Sequence, residues 1–340
     1  MVGFRVLVRA LQSGYRIRAA VRNQEGFDRI KSLTPVAPYA DQLEPVIVPD
    51  ITVPGAYDEA VKGVEYIIHV AASIARLTIT DFENELIKPS VQGTLGILEA
   101  ASKTNGIKKI IITGSVASII PASVMMGGSD TETFNGLSPS AQLLSVLPDV
   151  KLERSRSSAS MAPYGNAMEA YFASKMIALT STENFIREKK PPFDVIIVAP
   201  GYIVGRDDTV TEASNITKGT NEIAFGQVLG RPLPIPIGSM VAHLDDVAQA
   251  HVKSLNPAIT GDHFFLLAND VTWDSALQII KKRYPKEVEE GLFKVDVGAL
   301  TVGVRVDCSH AEKTLGLKLR NYEEALVEVA EHYLELLGRK

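Results

Sequence analysis

Cysteine is nearly missing from this 340-residue chain: Cys308 is the single one. It has no intrachain disulfide partner and no companions for a zinc site, which fits a reducing compartment. Long apolar runs are missing too; none approaches the roughly 20 residues of a membrane span. The start of the chain lacks the basic-then-apolar-then-small order of a signal peptide. Together these absences point to a cytoplasmic protein with no membrane contact. Nor is there an excess of positive charge. At a net −5 the chain offers no basic stripe to neutralise phosphates, so no nucleic-acid partner is expected. No repeat or low-complexity segment is present, and no metal-ligand spacing or Ser-His-Asp order stands out.

What remains is an ordinary globular composition, 46% apolar and 22% charged, long enough for a large core with a smaller lobe. Apolar spacing predicts a helix over 4–13, ended by Gly14, and a strand over 15–21. A helix around 27–33 and a strand at 45–48 follow, then a short helix over 56–62 stopped at Gly63. Residues 66–70 and 109–113 are continuous apolar strands, of the kind covered on both faces in a parallel sheet. Between them, 81–102 is helical and kinked or broken at Pro89. Residues 121–163 are a long Ser-, Pro- and Gly-rich loop carrying the charged run 151–156, which we read as solvated. Beyond it come a helix (167–188), a strand (193–199), a helix (242–254), a strand (263–267) and helices at 274–283, 309–315 and 322–337. Ser309 with Glu312 predicts a capping box, and Gly316 a C-cap. Alternating strands and helices predict an α/β fold, a doubly wound parallel sheet.

Tyr171-Phe172-Ala173-Ser174-Lys175 places a phenol and an ammonium one helical turn apart on the same face. Such an ammonium stabilises phenolate, so we expect a lowered Tyr171 pKa and a phenol able to donate a proton near neutral pH. With ten tyrosines, one such pair arises by chance about half the time, so the motif needs support. Strand 109–113 runs into Gly114-Ser115-Val116-Ala117-Ser118, where ligands bind beyond the carboxyl ends of parallel strands. Ser115 could hydrogen-bond a substrate carbonyl there or merely close a turn; Ser118 competes with it. His69, in an apolar strand, and His243 are expected to be structural. Met125 and Met126 either line a substrate pocket or pack it.

Taken in order, these residues resemble an extended short-chain dehydrogenase/reductase of the NAD-dependent epimerase/dehydratase family. The nearest group is that around dihydroflavonol reductases, cinnamoyl-CoA reductases and fungal ketone/aldehyde reductases. The resemblance rests on the strand 15–22, Pro49-Asp50-Ile51, His69-Val70-Ala71-Ala72-Ser73 and Thr113-Gly114-Ser115. It continues through the Tyr171–Lys175 stretch, Pro200-Gly201-Tyr202-Ile203-Val204-Gly205, His243-Leu244-Asp245-Asp246-Val247-Ala248, and Asp307-Cys308-Ser309 leading to Leu315-Gly316-Leu317.

The resemblance implies a Rossmann-type sheet with a smaller C-terminal substrate lobe. Residues 1–201 with 241–256 would form the cofactor domain, and 202–240 with 257–340 the lobe. It implies Tyr171 as general acid, Lys175 on the nicotinamide ribose and Ser115 positioning the substrate oxygen. Pro200, Gly201 and Ile203 would pass along the nicotinamide, Asp50 and Ile51 would flank the adenine, and Ala71 and Ala72 would let the cofactor approach closely. NAD sites place a carboxylate after the second strand, whereas an arginine suits a 2′-phosphate. Here that strand ends Ala20-Val21-Arg22-Asn23, with Arg29 beyond, so we expect NADP(H) with Arg22 and Arg29 on the phosphate. The alternative is that both are plain surface arginines.

One departure is large. The family opens with a strand and a Thr-Gly-x-x-Gly-x-x-Gly turn whose amides hold pyrophosphate. Here Gly3 aligns with the last of those glycines, and the first strand and first two glycines are absent. Loss of that strand would leave a gap between two others. Either the sequence is a shortened stretch of an intact reductase, which we expect from its intact downstream motifs, or the chain binds nucleotide poorly or not at all. An upstream targeting signal therefore stays open. The expected function is NADP(H)-dependent reduction of a ketone or aldehyde of a small organic metabolite, in specialised metabolism, by a monomer or homodimer. The rivals are an NAD-dependent sugar epimerase/dehydratase and a non-catalytic nucleotide sensor or scaffold.

Overall fold

The computed structural model describes residues 1–74, 78–120, 133–135, 162–233 and 235–339. Met125, Met126 and the 151–156 charge run lie outside the described residues, as does nearly all of the 121–163 loop. The first helix, α1 (Val2–Gln12), turns Phe4, Val6, Val8 and Leu11 inward. Gly14 then takes a left-handed φ of +84°, which lets the chain reverse into β1 (Ile17–Val21). Helix α2 (Gln24–Ser32) starts directly after Arg22, capped by Asn23, whose side chain accepts from the Gly26 amide at 2.8 Å. β2 (Leu43–Ile47) runs parallel to β1, with Ile17 opposite Leu43.

The main sheet comes from β3 (Tyr66–His69), β4 (Lys109–Thr113), β5 (Asp194–Pro200) and β6 (His263–Leu267), all parallel, in the order β6-β5-β4-β3. Ile110, Ile111, Val195, Ile196 and Val198 are buried whichever face they take, as continuous apolar runs require. Helices α3 (Lys88–Ser102), α4 (Ala167–Lys189) and α5 (Leu244–Lys253) are the helical layers of this sheet. This is the doubly wound, Rossmann-type α/β fold.

The sheet comes in two parts. Among the described residues β1 pairs with β2 alone and β3 with β4 alone, so each keeps one edge free of a strand partner. Side chains link the parts instead: Tyr15 meets Tyr66 edge to face at 6.5 Å, and the Arg18 guanidinium donates to the carbonyls of Ala60 and Lys62. Tyr66, Ile67 and Ile68 of β3 are half-buried, while their partners Lys109 to Ile111 on β4 are buried.

A second core gathers around Trp273, Phe225 and Phe293. Helices α6 (Ser275–Arg283) and α8 (Tyr322–Leu336) supply it, with α7 (Ser309–Leu315) between them in sequence and packed under the main sheet instead. Short strands Tyr202–Val204 and Met240–His243 pair in parallel beside it. Among the described residues no helix is long and apolar enough to cross a membrane.

Four local expectations need correction or refinement. Residues 56–62 are a run of turns, not a helix; Gly55 and Gly63, at φ +78° and +70°, bend the chain at both ends. The helix placed at 242–254 begins at Leu244, because Met240–His243 is a strand. Ser309 forms no capping box: Asp307 accepts from the Ser309 amide at 2.9 Å, and the box with both bonds lies at Asn321 and Glu324. Pro89 breaks nothing; a π-helical turn at Glu83–Ile87 precedes it and opens room where its ring would meet the preceding turn.

Candidate active site

The site is built on α4. Asn166 caps it, accepting from the amides of Met168 and Glu169 at 3.0 Å each, while Glu169 reaches back to the Gly165 amide at 2.9 Å. That locked first turn sets the azimuth of Tyr171 and Lys175. Small residues face each other where α4 lies against α3, with Ser90 and Ser174 hydroxyls 3.4 Å apart. Lys175 is thereby buried, 8% exposed, with its Nζ 5.4 Å from the centre of the Tyr171 ring.

Ser115 arrives from β4. The turn carrying it passes so close to β5 that a Cβ on Gly114 would lie 2.7 Å from Ile197 Cγ2. Its hydroxyl accepts from the Ala117 amide at 3.2 Å and lies near enough to the Tyr171 phenol to favour its ionised form. Ser118 is committed elsewhere, donating to the Ser115 carbonyl at 2.6 Å. Ser115, not Ser118, therefore stands beside the phenol.

The expected lowering of the Tyr171 pKa is not what the geometry gives. Burial dominates and pushes the phenol up, with the Ser115 hydroxyl pulling back only in part. Burial also pushes Lys175 down, to about 8, so its charge is weakest where it was expected to act. The consequence is a tyrosine held in its protonated, donor form.

Beyond the carboxyl ends of β3 and β4 a cavity brings Lys175 together with Ala71, Ala72, Gly114 and His69. Ala71 and Ala72 are exposed and present only methyl groups there. Arg22 and Arg29 are exposed, and among the described residues neither guanidinium has a hydrogen bond or ion pair. Thr52 holds the Asp50 carboxyl below its usual range through two hydrogen bonds, at 2.7 and 2.8 Å, and Arg22 adds a smaller pull. Ile51 turns into α3, where a Cβ on Gly93 would sit 2.9 Å from its Cδ1. Gly3 lies in the first turn of α1, 3.8 Å from Val70 by the same measure. Pro200 is buried at the end of β5, and Ile203 packs on the core beneath α5 rather than into the cavity.

The family model described as the NAD dependent epimerase/dehydratase family matches residues 1–264. The chain belongs to that family. A ketoreductase of Cercospora nicotianae is 32% identical over 98% of this chain and 92% of its own length. A protein of Alternaria alternata named as an NAD-dependent epimerase/dehydratase is 34% identical over 96% of this chain and 92% of its own. In fold, the chain is similar to yeast methylglyoxal/isovaleraldehyde reductase solved with NADPH, with a TM-score of 0.78, 22% identity and coverage of 100% and 97%.

Within this family member, several residues near the site escape sequence reasoning. The His251 Nδ1 donates to the Val247 carbonyl at 2.7 Å, so its Nε2 accepts from Thr113 Oγ1, also at 2.7 Å. This pins the end of β4 to α5, and nothing in the sequence links positions so far apart. Tyr202 comes near enough to Tyr171 for the two phenols to disfavour each other's ionisation, and it meets Trp273 edge to face at 5.7 Å. The lone tryptophan of the chain was the available signal. His243 has a structural task, its Nδ1 accepting from the Asp245 amide at the start of α5. Asp245 pairs with Arg9, and Asp246 accepts from the Arg320 backbone and guanidinium at 2.6 and 2.9 Å.

Proposed function

We propose that this chain is an NADP(H)-dependent reductase that converts a ketone or aldehyde of a small organic metabolite to an alcohol. The observation that carries this is the constellation of Tyr171 with Ser115 beside its phenol and the Lys175 ammonium over its ring. The ketoreductase name of the Cercospora relative, matched along nearly the whole chain, supports the same reaction.

The residues present suit a nicotinamide cofactor. Exposed arginines with no hydrogen-bond or ion-pair partner among the described residues follow β1, two alanines leave room at the end of β3, and a buried lysine amine faces the cavity there. Arg22 and Arg29 would hold the 2′-phosphate, Asp50 and Ile51 the adenine side, and Lys175 with Tyr171 the ribose. Pro200 and Gly201 would border the nicotinamide side, with Gly3 near the phosphates. When bound, the cofactor supplies hydride to the carbonyl carbon.

The chain's own part is acid catalysis and positioning. Tyr171 donates its proton to the carbonyl oxygen as charge develops there, and Ser115 orients that oxygen and stabilises the phenolate left behind. Lys175, while protonated, lowers the cost of that phenolate. The core around Trp273, built from parts of 202–240 and 257–340, is assigned to substrate binding, whereas β6 and α7 within that span belong with the main sheet. A small-molecule carbonyl compound is thus the partner, and specialised metabolism the setting suggested by the family resemblance.

The test is NADPH oxidation by the purified chain against a panel of ketones and aldehydes, with NADH alongside. Turnover with NADPH and weak turnover with NADH is expected; no turnover by folded protein would overturn the assignment. The name of the Alternaria relative favours a second reading, an NAD-dependent epimerase/dehydratase, for which a sugar substrate is the expectation from the family resemblance. An arginine where NAD sites carry a carboxylate argues against it. Purification with tightly held NAD would reverse that preference.

A further inference from the structure

His69 is an unusual occupant of an apolar strand end. It is 7% exposed, and its Nε2 is fully buried with no hydrogen-bond partner among the described residues. Buried polar atoms without partners are rare in folded proteins and call for a cause. Its ring packs edge to face on Tyr57 at 5.9 Å.

The same cavity is lined by a second polar group. Lys175 is buried there too, and among the described residues its Nζ makes no hydrogen bond or ion pair. The two are complementary: an ammonium has donors only, and an imidazole nitrogen can accept. They are near enough that the lysine charge disfavours protonation of the imidazole, which burial already opposes. Ser90 and Thr94 of α3 border the same space and add hydroxyls, so it is polar enough to hold ordered water. Tyr57, whose hydroxyl also has no partner among the described residues, does not border it.

We propose that His69 is a positioning residue whose Nε2 anchors a water that bridges to the Lys175 ammonium and holds it beside Tyr171. Nε2 is then the unprotonated ring nitrogen, and the water donates to it while accepting from Nζ. The histidine serves a hydrogen bond, not a proton transfer. It explains why this strand ends in a polar ring where packing alone would take an apolar one. The inference rests on the reductase assignment for its kinetic consequence, though not for the hydrogen bond itself.

Two variants and one spectroscopic measurement test it on the full chain. His69→Phe keeps the ring and removes the nitrogen, whereas His69→Gln places an amide acceptor near the Nε2 position. We expect His69→Phe to bind NADPH and substrate as wild type does, with kcat about tenfold lower, and His69→Gln to recover most of that loss. Equal kcat in His69→Phe and wild type would overturn the proposal. So would a His69→Gln enzyme as slow as His69→Phe, since a packing role would be damaged by both. In protein labelled with 15N-histidine, the His69 Nε2 resonance should report an accepted hydrogen bond and move on Lys175→Met. An unmoved resonance would also refute the bridge, and this arm decides the matter if His69→Phe does not fold. If wild type oxidises NADPH with no carbonyl compound yet the resonance moves, the reductase assignment fails and the bridge stands.

Discussion

The ammonium of Lys175 lies 5.4 Å from the centre of the Tyr171 ring, and the Ser115 hydroxyl is near the same phenol. One residue supplies a proton, one supplies charge and one supplies direction, and all three are largely shielded from water. Removing the phenol oxygen should therefore abolish chemistry without disturbing the fold. Tyr171→Phe is expected to lower kcat by roughly 10²–10⁴, with NADPH affinity by calorimetry nearly unchanged. Residual activity near wild type would remove Tyr171 from its assigned role.

If Arg22 and Arg29, which have no hydrogen-bond or ion-pair partner among the described residues, read the 2′-phosphate, cofactor choice should depend on them. Arg22→Ala and Arg29→Ala should each weaken NADPH binding by roughly tenfold, the worth of one charge-assisted contact. NADH binding should hardly change. Parallel loss for both cofactors would mean that these arginines support the fold around α2 and do not read the phosphate.

Acid should destabilise the protein in a defined window. Burial pushes both His69 and His251 down to about 4, so in the native state they stay neutral where an unfolded chain would be charged. The unfolded state binds more protons between the ordinary histidine value of about 6.5 and a pH of about 4. Stability is complete above that window and is lost as pH falls through it. Each histidine contributes on the order of 3 kcal/mol to that loss. Urea midpoints measured from pH 7 down to 4 should show the decline, and His251→Asn should flatten it while lowering the plateau. A pH-independent midpoint would contradict the burial of both rings.

Gly201 marks where β5 leaves the main sheet, and its backbone passes against the Met240 carbonyl. A Cβ there would stand 2.6 Å from that oxygen, a backbone atom that cannot swing aside. Gly201→Ala should cost about 1–3 kcal/mol, read as a lower melting temperature. An unaltered melt would show that Met240–His243 shifts freely.

Much of this was legible in the chain. The apolar runs of β3, β4 and β5 announce strands covered on both faces, and the Tyr171–Lys175 spacing needs only a helix to become a pair. What escaped was non-local or very short. Tyr202–Val204 and Met240–His243 are too brief to show a period, and the second was absorbed into the helix that His243 caps. Residues 56–62 carry helical spacing, yet two left-handed glycines at their borders let packing choose turns. The Tyr171 pKa went astray because spacing reports the charged neighbour and is silent on burial, which here is the larger effect. The bond from Thr113 to His251 spans 138 positions and could be found only in three dimensions.

The two-part sheet has a consequence in time as well as in space. A backbone ladder transmits cooperativity from strand to strand, and none joins β1 to β3. The unit made of β1, α2 and β2 is tied down by the Tyr15–Tyr66 contact, by Arg18 and by its own small core around Phe27 and Leu43. Amide hydrogens of β1 and β2 should then exchange with deuterium through a local opening that leaves β4 and β5 protected. Since Arg22 closes β1, bound NADPH should slow that opening selectively, so protection of Ile17–Val21 would report cofactor occupancy from a distance.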